Sequence, residues 1–333
     1  MYKRFYGFNR APFDLSPDPE RVFMSWTHKE GLAVLEYGVV AKKGFLVLTG
    51  EVGTGKTTLL QALVRSLGDN VHVCLLNNPK LSRDEFFSYL AHAYDLPWEG
   101  NKALFLLELA KFFKECGRKK ERVLFIIDEA HVIPVAQMEE IRLLSNQDPT
   151  GGDVFSIFLV GQPELDAHLK DERLLPLQQR IGIRFHLERF TRDITVQYII
   201  FRLRLAGAKH LDIFTEDALT LIHTASRGTP RLINIICDHA LLTGFADDQP
   251  VIDGNVIREC VKELQLPGYE QLVENSQKSN RKIYLAGIIA IIVLLVLLAL
   301  EIIPATRSFS PLGAILPGEW LLPLHKLLGH IGG

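Results

Sequence analysis

Residues 44–58 read GFLVLTGEVGTGKTT, and this stretch decides the fold. Its first six residues form an apolar run, which is typical of a buried strand. Residues 50–57, GEVGTGKT, fit the pattern G-x-x-x-x-G-K-[ST], and the helix-forming run TTLLQALVRSL begins at Thr57. A strand, a glycine loop and a helix in this order place backbone N–H groups and a helix N-terminus around a phosphate. The stretch therefore predicts a phosphate-binding loop in an α/β fold.

The loop supplies the predicted nucleotide contacts. Lys56 is expected to reach the β- and γ-phosphates, and the Thr57 hydroxyl is expected to ligate Mg²⁺. The full set of predicted contacts is Gly50, Glu51, Val52, Gly53, Thr54, Gly55, Lys56, Thr57 and Thr58. A nucleoside triphosphate with Mg²⁺ is therefore the expected ligand.

A pair of carboxylates follows a second apolar strand. Residues 122–130 read RVLFIIDEA, so that Asp128 and Glu129 come directly after the run. Asp128 is expected to hold the metal through its waters, and Glu129 to orient and deprotonate the attacking water. Acidic pairs also occur in ordinary helix N-terminal turns. Together with the phosphate loop, however, the pair predicts hydrolysis of a nucleoside triphosphate.

Apolar runs and helical patterns alternate through the first part of the chain. The runs lie at residues 44–49, 71–76, 122–127, 154–160 and 184–187. This alternation predicts a parallel sheet covered by helices on both faces. We assign residues 1–190 to this α/β domain.

After residue 190 the pattern is helical only. Apolar residues recur at spacings of three and four in residues 191–206, 215–226, 230–245 and 254–264. Thr215 and Asp253 are the expected N-caps of two of these helices. Residues 191–264 are therefore predicted to form a small helical lid domain.

One later segment differs from the rest of the chain. Residues 283–300, IYLAGIIAIIVLLVLLAL, contain no charged residue and no polar face. A helix of this length spans about 27 Å, close to the hydrocarbon thickness of a bilayer. A core helix of a large soluble domain is the alternative, whereas a surface or half-buried helix would show a polar stripe, which this run lacks. The run predicts a single transmembrane helix, to which we assign residues 283–303.

The charges around this run predict its orientation. Lys278, Arg281 and Lys282 precede it, whereas Glu301 and Arg307 follow it. The positive-inside rule then places the N-terminal side in the cytoplasm. The predicted topology comprises a linker over residues 265–282, the membrane span, and a short periplasmic tail over residues 304–333.

Composition excludes several classes of protein. The 333 residues include 47% hydrophobic and 23% charged residues, with a net charge of −2. These values exclude a disordered chain, a collagen-like fibre and a disulfide scaffold. The balanced charge indicates no general attraction to nucleic acid. The cysteines form no C-x-x-C pair, and we interpret the scattered histidines, His28 and His131 among them, as packing or surface residues.

Four short motifs together resemble those of the AAA+ ATPases. They are GEVGTGKT, FIIDEA, LVGQ ending at Gln162, and SRGTPR containing Arg231. The resemblance implies ATP as the nucleotide, Gln162 as the sensor 1 residue and Arg231 as the sensor 2 residue near the γ-phosphate. It also implies an oligomer in which an arginine of one subunit completes the neighbour's site. Arg180 matches that position best, and Arg173 is the second candidate.

A narrower resemblance covers residues 1–264. FYGFNRAPFDLSPDPERVF at residues 5–23 and GTPRLINIICDHAL at residues 228–241 are similar to ATPases of the ExeA/GspA (general secretion pathway protein A) type, including relatives associated with pilus or exopolysaccharide export. This resemblance implies an ATPase in the bacterial inner membrane that drives or regulates assembly of an envelope machine. The implied partners are further copies or a sister ATPase, and components of the machine, with no nucleic acid expected.

Two other functions remain open at this point. SRGTPR also resembles the lid of the branch-migration motor at Holliday junctions, so a DNA-acting motor or a transposition helper is one alternative. The other is a slow nucleotide-dependent switch that signals assembly state without sustained turnover. The sequence does not separate a switch from a motor.

Overall fold

The computed structural model describes residues 1–15, 22–41, 44–148 and 154–266. The chain divides into two compact units, Met1–Val273 and Glu274–Gly333, and all described residues lie in the first. Within the described ranges no helix is both long enough and apolar enough to cross a bilayer. The predicted span at 283–303, the tail and nearly all of the linker lie outside the described residues.

A five-stranded parallel sheet forms the centre of this unit. Its strands are β1 (Phe45–Gly50), β2 (Val71–Leu76), β3 (Arg122–Ile127), β4 (Phe155–Gly161) and β5 (Ile181–Leu187). Their spatial order is β2-β3-β4-β1-β5. Val47 of β1 is paired with Leu159 of β4 on one side and with Arg184 of β5 on the other. The predicted parallel α/β sheet is therefore confirmed, and the carboxyl ends of all strands meet at one edge.

Helices cover both faces of the sheet and also form a separate layer. The described helices are α1 (Tyr2–Phe5), α2 (Trp26–Val40), α3 (Lys56–Ser66), α4 (Arg83–Ala93), α5 (Lys102–Lys119), α6 (Val135–Leu144), α7 (Glu164–Leu169), α8 (Leu175–Gln178), α9 (Arg192–Leu205), α10 (Glu216–Ser226), α11 (Pro230–Ala246) and α12 (Gly254–Glu263). The helices α9–α12 agree closely with the four predicted after residue 190.

Successive residues of the central strands pack into different cores. Phe45 and Val47 belong to the core beneath α4, α5 and α6, whereas Leu46 and Leu48 belong to the core beneath α2 and α3. Side chains of a strand alternate between the faces of its sheet. Both faces are covered, and the strands therefore read as continuous apolar runs instead of an alternating pattern.

Side-chain caps define where several helices begin. The Thr215 hydroxyl accepts a hydrogen bond from the backbone N–H of Ala218, and the Asp253 carboxylate accepts from Asn255 and Val256. Both predicted N-caps are thereby confirmed. Such caps satisfy N–H groups that have no partner within the helix, and each is worth about 1 kcal/mol.

The N-terminal segment, residues 1–15, packs with helices α9–α12. Tyr2, Phe8 and Phe13 are buried in the same core as these helices. The Tyr2 hydroxyl donates to Asp238 Oδ1 at 2.5 Å, across 236 residues of chain. The Arg202 guanidinium of α9 donates to the Pro12 carbonyl at 2.6 Å. The sequence pattern groups this segment with the α/β domain, whereas in the structure it contributes to the helical core.

This packing makes Phe13 a test of the helical core. Phe13 is 1% exposed, whereas Leu15, two residues later, is 53% exposed. We expect Phe13→Ala to reduce the free energy of unfolding by about 3–5 kcal/mol, because it leaves a cavity. Leu15→Ala should change it by less than about 0.5 kcal/mol. Chemical denaturation of the two variants measures both values, and equal effects would contradict the described packing.

Candidate active site

The phosphate-binding loop connects the end of β1 to the start of α3. Gly53 and Gly55 have φ values of +78° and +104°, in the region that favours glycine. Gly55 is the N-cap of α3, so the loop ends at a helix N-terminus. Backbone N–H groups and the positive end of the helix dipole therefore face the loop, an arrangement that binds anions.

Lys56 lies inside this loop. It is 6% exposed, and its Nζ donates to the carbonyls of Gly50 at 2.7 Å and Glu51 at 3.1 Å. Burial lowers the pKa of the Lys56 ammonium, and the neighbouring carboxylates, Glu129 first, oppose that change. The ammonium is thus held at the centre of the loop, where phosphate oxygens would be bound.

Thr57 and Asp128 meet at the carboxyl edge of the sheet. The Thr57 hydroxyl donates to Asp128 Oδ2 at 2.9 Å. Burial raises the pKa of the Asp128 carboxyl, whereas the hydrogen bonds from Thr57 and from the Glu129 N–H oppose this rise. A hydroxyl beside one carboxylate suits Mg²⁺, which binds to few protein oxygens and keeps several waters. Thr57 and Asp128 are therefore the residues that would hold the ion.

Glu129 has an unusual backbone conformation. Its φ is +53°, in the left-handed region that non-glycine residues seldom adopt. Its side chain is 44% exposed and lines the cavity described below. Glu129 Oε2 lies 3.5 Å from the Nε2 of Gln162, which follows β4. The structure therefore brings the predicted base and the predicted sensor 1 residue together.

Helix α11 approaches the loop from the helical layer. Arg231, in its first turn, donates its backbone N–H to the Gly53 carbonyl at 3.4 Å. A Cβ atom at Gly53 would lie 2.8 Å from the Cβ of Arg231 and 3.1 Å from the Thr229 methyl group. The close approach requires glycine at position 53, and it places Arg231 at the edge of the predicted phosphate site.

His28 of α2 contacts the loop from another side. Its Nε2 lies 3.1 Å from the Thr54 carbonyl, and its Nδ1 lies 2.7 Å from the Ser25 hydroxyl. Burial lowers the pKa of the imidazole, which favours the neutral ring. A Cβ atom at Gly55 would lie 2.8 Å from His28 Nε2. His28 is therefore a part of the site; the sequence pattern favours a packing or surface residue, with a place near the adenine as the alternative.

One cavity of about 460 Å³ is lined by the phosphate-binding loop, Glu129, Arg231 and His28. One side is polar and contains the loop, Glu129 and Arg231. The other side is aromatic and is lined by Phe23, Phe190, Tyr198 and Phe201. The volume lies within the range of small-molecule and cofactor sites. An apolar part beside a phosphate-binding part fits the base and the phosphates of a nucleotide.

Comparison with known proteins agrees with this geometry. Residues 40–169 match the family model described as an AAA domain. This stretch therefore carries an AAA domain. The chain is 36% identical over 260 residues to general secretion pathway protein A of Aeromonas hydrophila, and the match covers 77% of this chain and 47% of that relative. The predicted resemblance to AAA+ ATPases of this type is confirmed.

Other AAA+ relatives are more distant. The chain is 26% identical over 195 residues to the Holliday junction branch migration complex subunit RuvB of Kosmotoga olearia, covering 57% of this chain and 49% of that relative. The crystal structure of Cdc6p from Pyrobaculum aerophilum superposes with a TM-score of 0.59 at 17% identity, covering 76% of this chain and 70% of that one. The latter likeness shows the AAA+ fold alone. The chain spans about half the length of the curated relatives it matches.

The two arginines predicted for a neighbour's site lie away from the cavity of the AAA domain. Arg180 precedes β5 and donates to the Ser145 hydroxyl at 2.5 Å, in an exposed position. Arg173 forms an exposed ion pair with Asp171 at 2.6 Å. Neither lines the cavity. Their role toward a neighbouring subunit stays a prediction.

Gly55 provides a direct test of the close contact with His28. We expect Gly55→Ala to weaken ATP binding at least about tenfold, because its Cβ meets the imidazole and its φ is unfavourable for alanine. Gly100→Ala is the matched control, since Gly100 also has a positive φ but no atom lies within 4 Å of the position that its Cβ would take. Titration with a fluorescent ATP analogue measures both. Equal affinities in the two variants would contradict the proposed constraint.

Proposed function

We propose that this chain is a membrane-anchored AAA+ ATPase that hydrolyses ATP to drive or regulate assembly of an envelope secretion, pilus or polysaccharide-export machine. The observation that carries the ATPase part is the convergence of Lys56, Thr57 and Glu129 on one cavity, with Asp128 hydrogen-bonded to Thr57 behind them. The membrane and envelope parts are supported by the sequence and by one relative.

Each group has a distinct part in the proposed reaction. The loop N–H groups and Lys56 bind the phosphates, and Thr57 and Asp128 would hold Mg²⁺. When bound, the ion would neutralise part of the negative charge on the phosphates. Glu129 accepts the proton of the attacking water, and Gln162 beside it orients the reacting groups. Arg231 belongs to helix α11 and is the proposed contact to the γ-phosphate, so it would link the bound nucleotide to that helix.

The contact between α11 and the loop offers a route from chemistry to motion. Arg231 and Thr229 touch Gly53, so a change in the loop acts on α11 directly. The N-terminal segment is buried with the same helices. We infer that the helical layer and residues 1–15 respond together to nucleotide, which would convert hydrolysis into movement.

Two observations support a place in the cell envelope. Residues 283–300 are an uncharged apolar run preceded by Lys278, Arg281 and Lys282. This pattern favours an inner-membrane protein with its ATPase domain in the cytoplasm and its short tail in the periplasm. The second observation is the 36% identity to a protein named for the general secretion pathway.

A DNA-acting function is the second candidate. The 26% identity to RuvB favours it, and that relative is named as a branch migration subunit. The identity is lower and covers less of the chain than the match to general secretion pathway protein A. A slow nucleotide-dependent switch would use the same site, and the rate of turnover distinguishes it from a motor.

Two substitutions separate nucleotide binding from turnover. We expect Lys56→Ala to abolish ATP binding, because it removes the cation at the centre of the loop. Glu129→Gln should retain binding but reduce turnover by about 10²–10⁴-fold, since an amide accepts no proton. Lys114→Ala, at an exposed site on α5, is the control. Full hydrolysis by the Glu129→Gln protein would contradict the assignment of Glu129 as the base.

Mixing experiments test Arg180 as a residue supplied to a neighbour. Arg180→Ala should bind ATP but lose about 10³-fold or more in turnover. A mixture of Arg180→Ala and Glu129→Gln subunits should regain activity, because each variant supplies the group that the other lacks. Arg173→Ala should retain activity. Stable mixed oligomers that stay inactive would exclude Arg180 from this role.

Crosslinking in cells tests the envelope function. A photoreactive residue replaces Trp320 in the tail of the full chain, and mass spectrometry identifies the trapped molecules. We expect secretin, pilus or export components and recovery of the chain in the inner-membrane fraction. Capture of lipid alone, together with retention of DNA by the full chain, would instead favour the DNA-acting function.

A further inference from the structure

His131 links the candidate base to the end of β4. It lies in the 3₁₀ turn Ala130–Val132, directly after Glu129. Its Nδ1 is 3.5 Å from Glu129 Oε2, and its Nε2 is 3.1 Å from Gln162 Nε2. The Gln162 amide nitrogen is itself 3.5 Å from the same Glu129 oxygen. The three side chains therefore form a closed triangle of polar contacts.

Gln162 contacts both ring nitrogens of His131. The Gln162 NH₂ group has two hydrogens, which can be donated to Glu129 Oε2 and to His131 Nε2. The Gln162 backbone N–H donates to His131 Nδ1 at 3.4 Å. Glu129 Oε2 thus has the Gln162 amide and the His131 ring as polar neighbours, each at 3.5 Å.

The imidazole is held in place by its surroundings. Its side chain is 13% exposed, and His168 Nδ1 lies 3.3 Å from the His131 carbonyl. A Cβ atom at Gly161 would lie 3.2 Å from His131 N and 3.3 Å from His131 Nδ1. Because Gly161, the last residue of β4, has no side chain, it leaves space for the His131 ring beside Glu129. A side chain packed in this way has little freedom to turn.

We propose that His131 is a positioning residue that fixes the Glu129 carboxylate relative to Gln162. The inference rests on the proposed function, since it concerns the base of the hydrolytic site. His131 is not among the residues that line the cavity. It acts through Glu129, whose Oε2 lies 3.5 Å from both His131 Nδ1 and Gln162 Nε2. Loss of the contact should therefore reduce turnover and leave nucleotide affinity unchanged.

Two polar substitutions at residue 131 distinguish positioning from simple packing. Asn places an amide N–H near the position of Nδ1, whereas Gln places its amide near the position of Nε2. We expect His131→Gln to reduce kcat by about 10–100-fold, with a Kd for ATP within about twofold of wild type. His131→Asn, which keeps a polar group at the position of Nδ1 between Glu129 and the Gln162 N–H, should retain clearly more turnover than His131→Gln.

His168→Asn is the matched control, because His168 Nδ1 meets the His131 backbone carbonyl of the same turn and not the His131 ring. It should retain wild-type kcat. An equal loss of kcat in His131→Asn, His131→Gln and His168→Asn, with lowered melting temperatures, would show that the turn and not the base contact matters. Unchanged kcat in both residue 131 variants would overturn the proposal while leaving the ATPase assignment intact.

A measurement without nucleotide keeps the two proposals separate. The free energy of unfolding is measured for Glu129→Gln, His131→Phe, the double variant and wild type. Non-additive effects would show that the two side chains interact, as the proposal requires. Additive effects would overturn it. Absence of ATP hydrolysis by the wild-type chain would overturn the proposed function, and this cycle would still decide whether His131 holds Glu129.

Discussion

The phosphate-binding loop is held between two helices that come from different parts of the chain. On one side the imidazole of His28 contacts the Thr54 carbonyl, and on the other side α11 reaches the Gly53 carbonyl through the Arg231 N–H. Both contacts are possible because the loop residues that face them have no side chain. The loop is therefore a shared boundary of the sheet, α2 and the helical layer, and its conformation depends on all three.

Charge burial is the second constraint on the site. Burial lowers the pKa of Lys56 and raises that of Asp128, so each group is disfavoured in its charged form. The opposite charges partly offset these changes for each other, because the parallel sheet brings both groups to one edge. A bound polyphosphate adds negative charge beside Lys56 and favours the ammonium form. Ligand that binds only to the folded domain also stabilises it by mass action.

Local patterns predicted most of the sheet and the phosphate site. The glycine loop, Lys56 and the acidic pair after β3 are each encoded within a few residues, and buried strands leave continuous apolar runs. Strand order and the site histidines depend on contacts between distant parts of the chain. His28 meets Thr54 of the loop across 26 residues, and His131 meets Gln162 across 31 residues. The spacing of Glu129 and His131, two residues apart after an apolar strand, was the one local signal for the second histidine.

The packing of residues 1–15 against α9–α12 also constrains how the domain is made. Tyr2, Phe8 and Phe13 are synthesised before α11 and α12, and their partners in those helices follow more than 200 residues later. Closing such a long loop is slow and has an entropic cost. Until α11 and α12 have left the ribosome, these aromatic side chains lack their native partners, and their exposed apolar surface favours aggregation. The helical core is thus completed only when two segments far apart in the chain are both available.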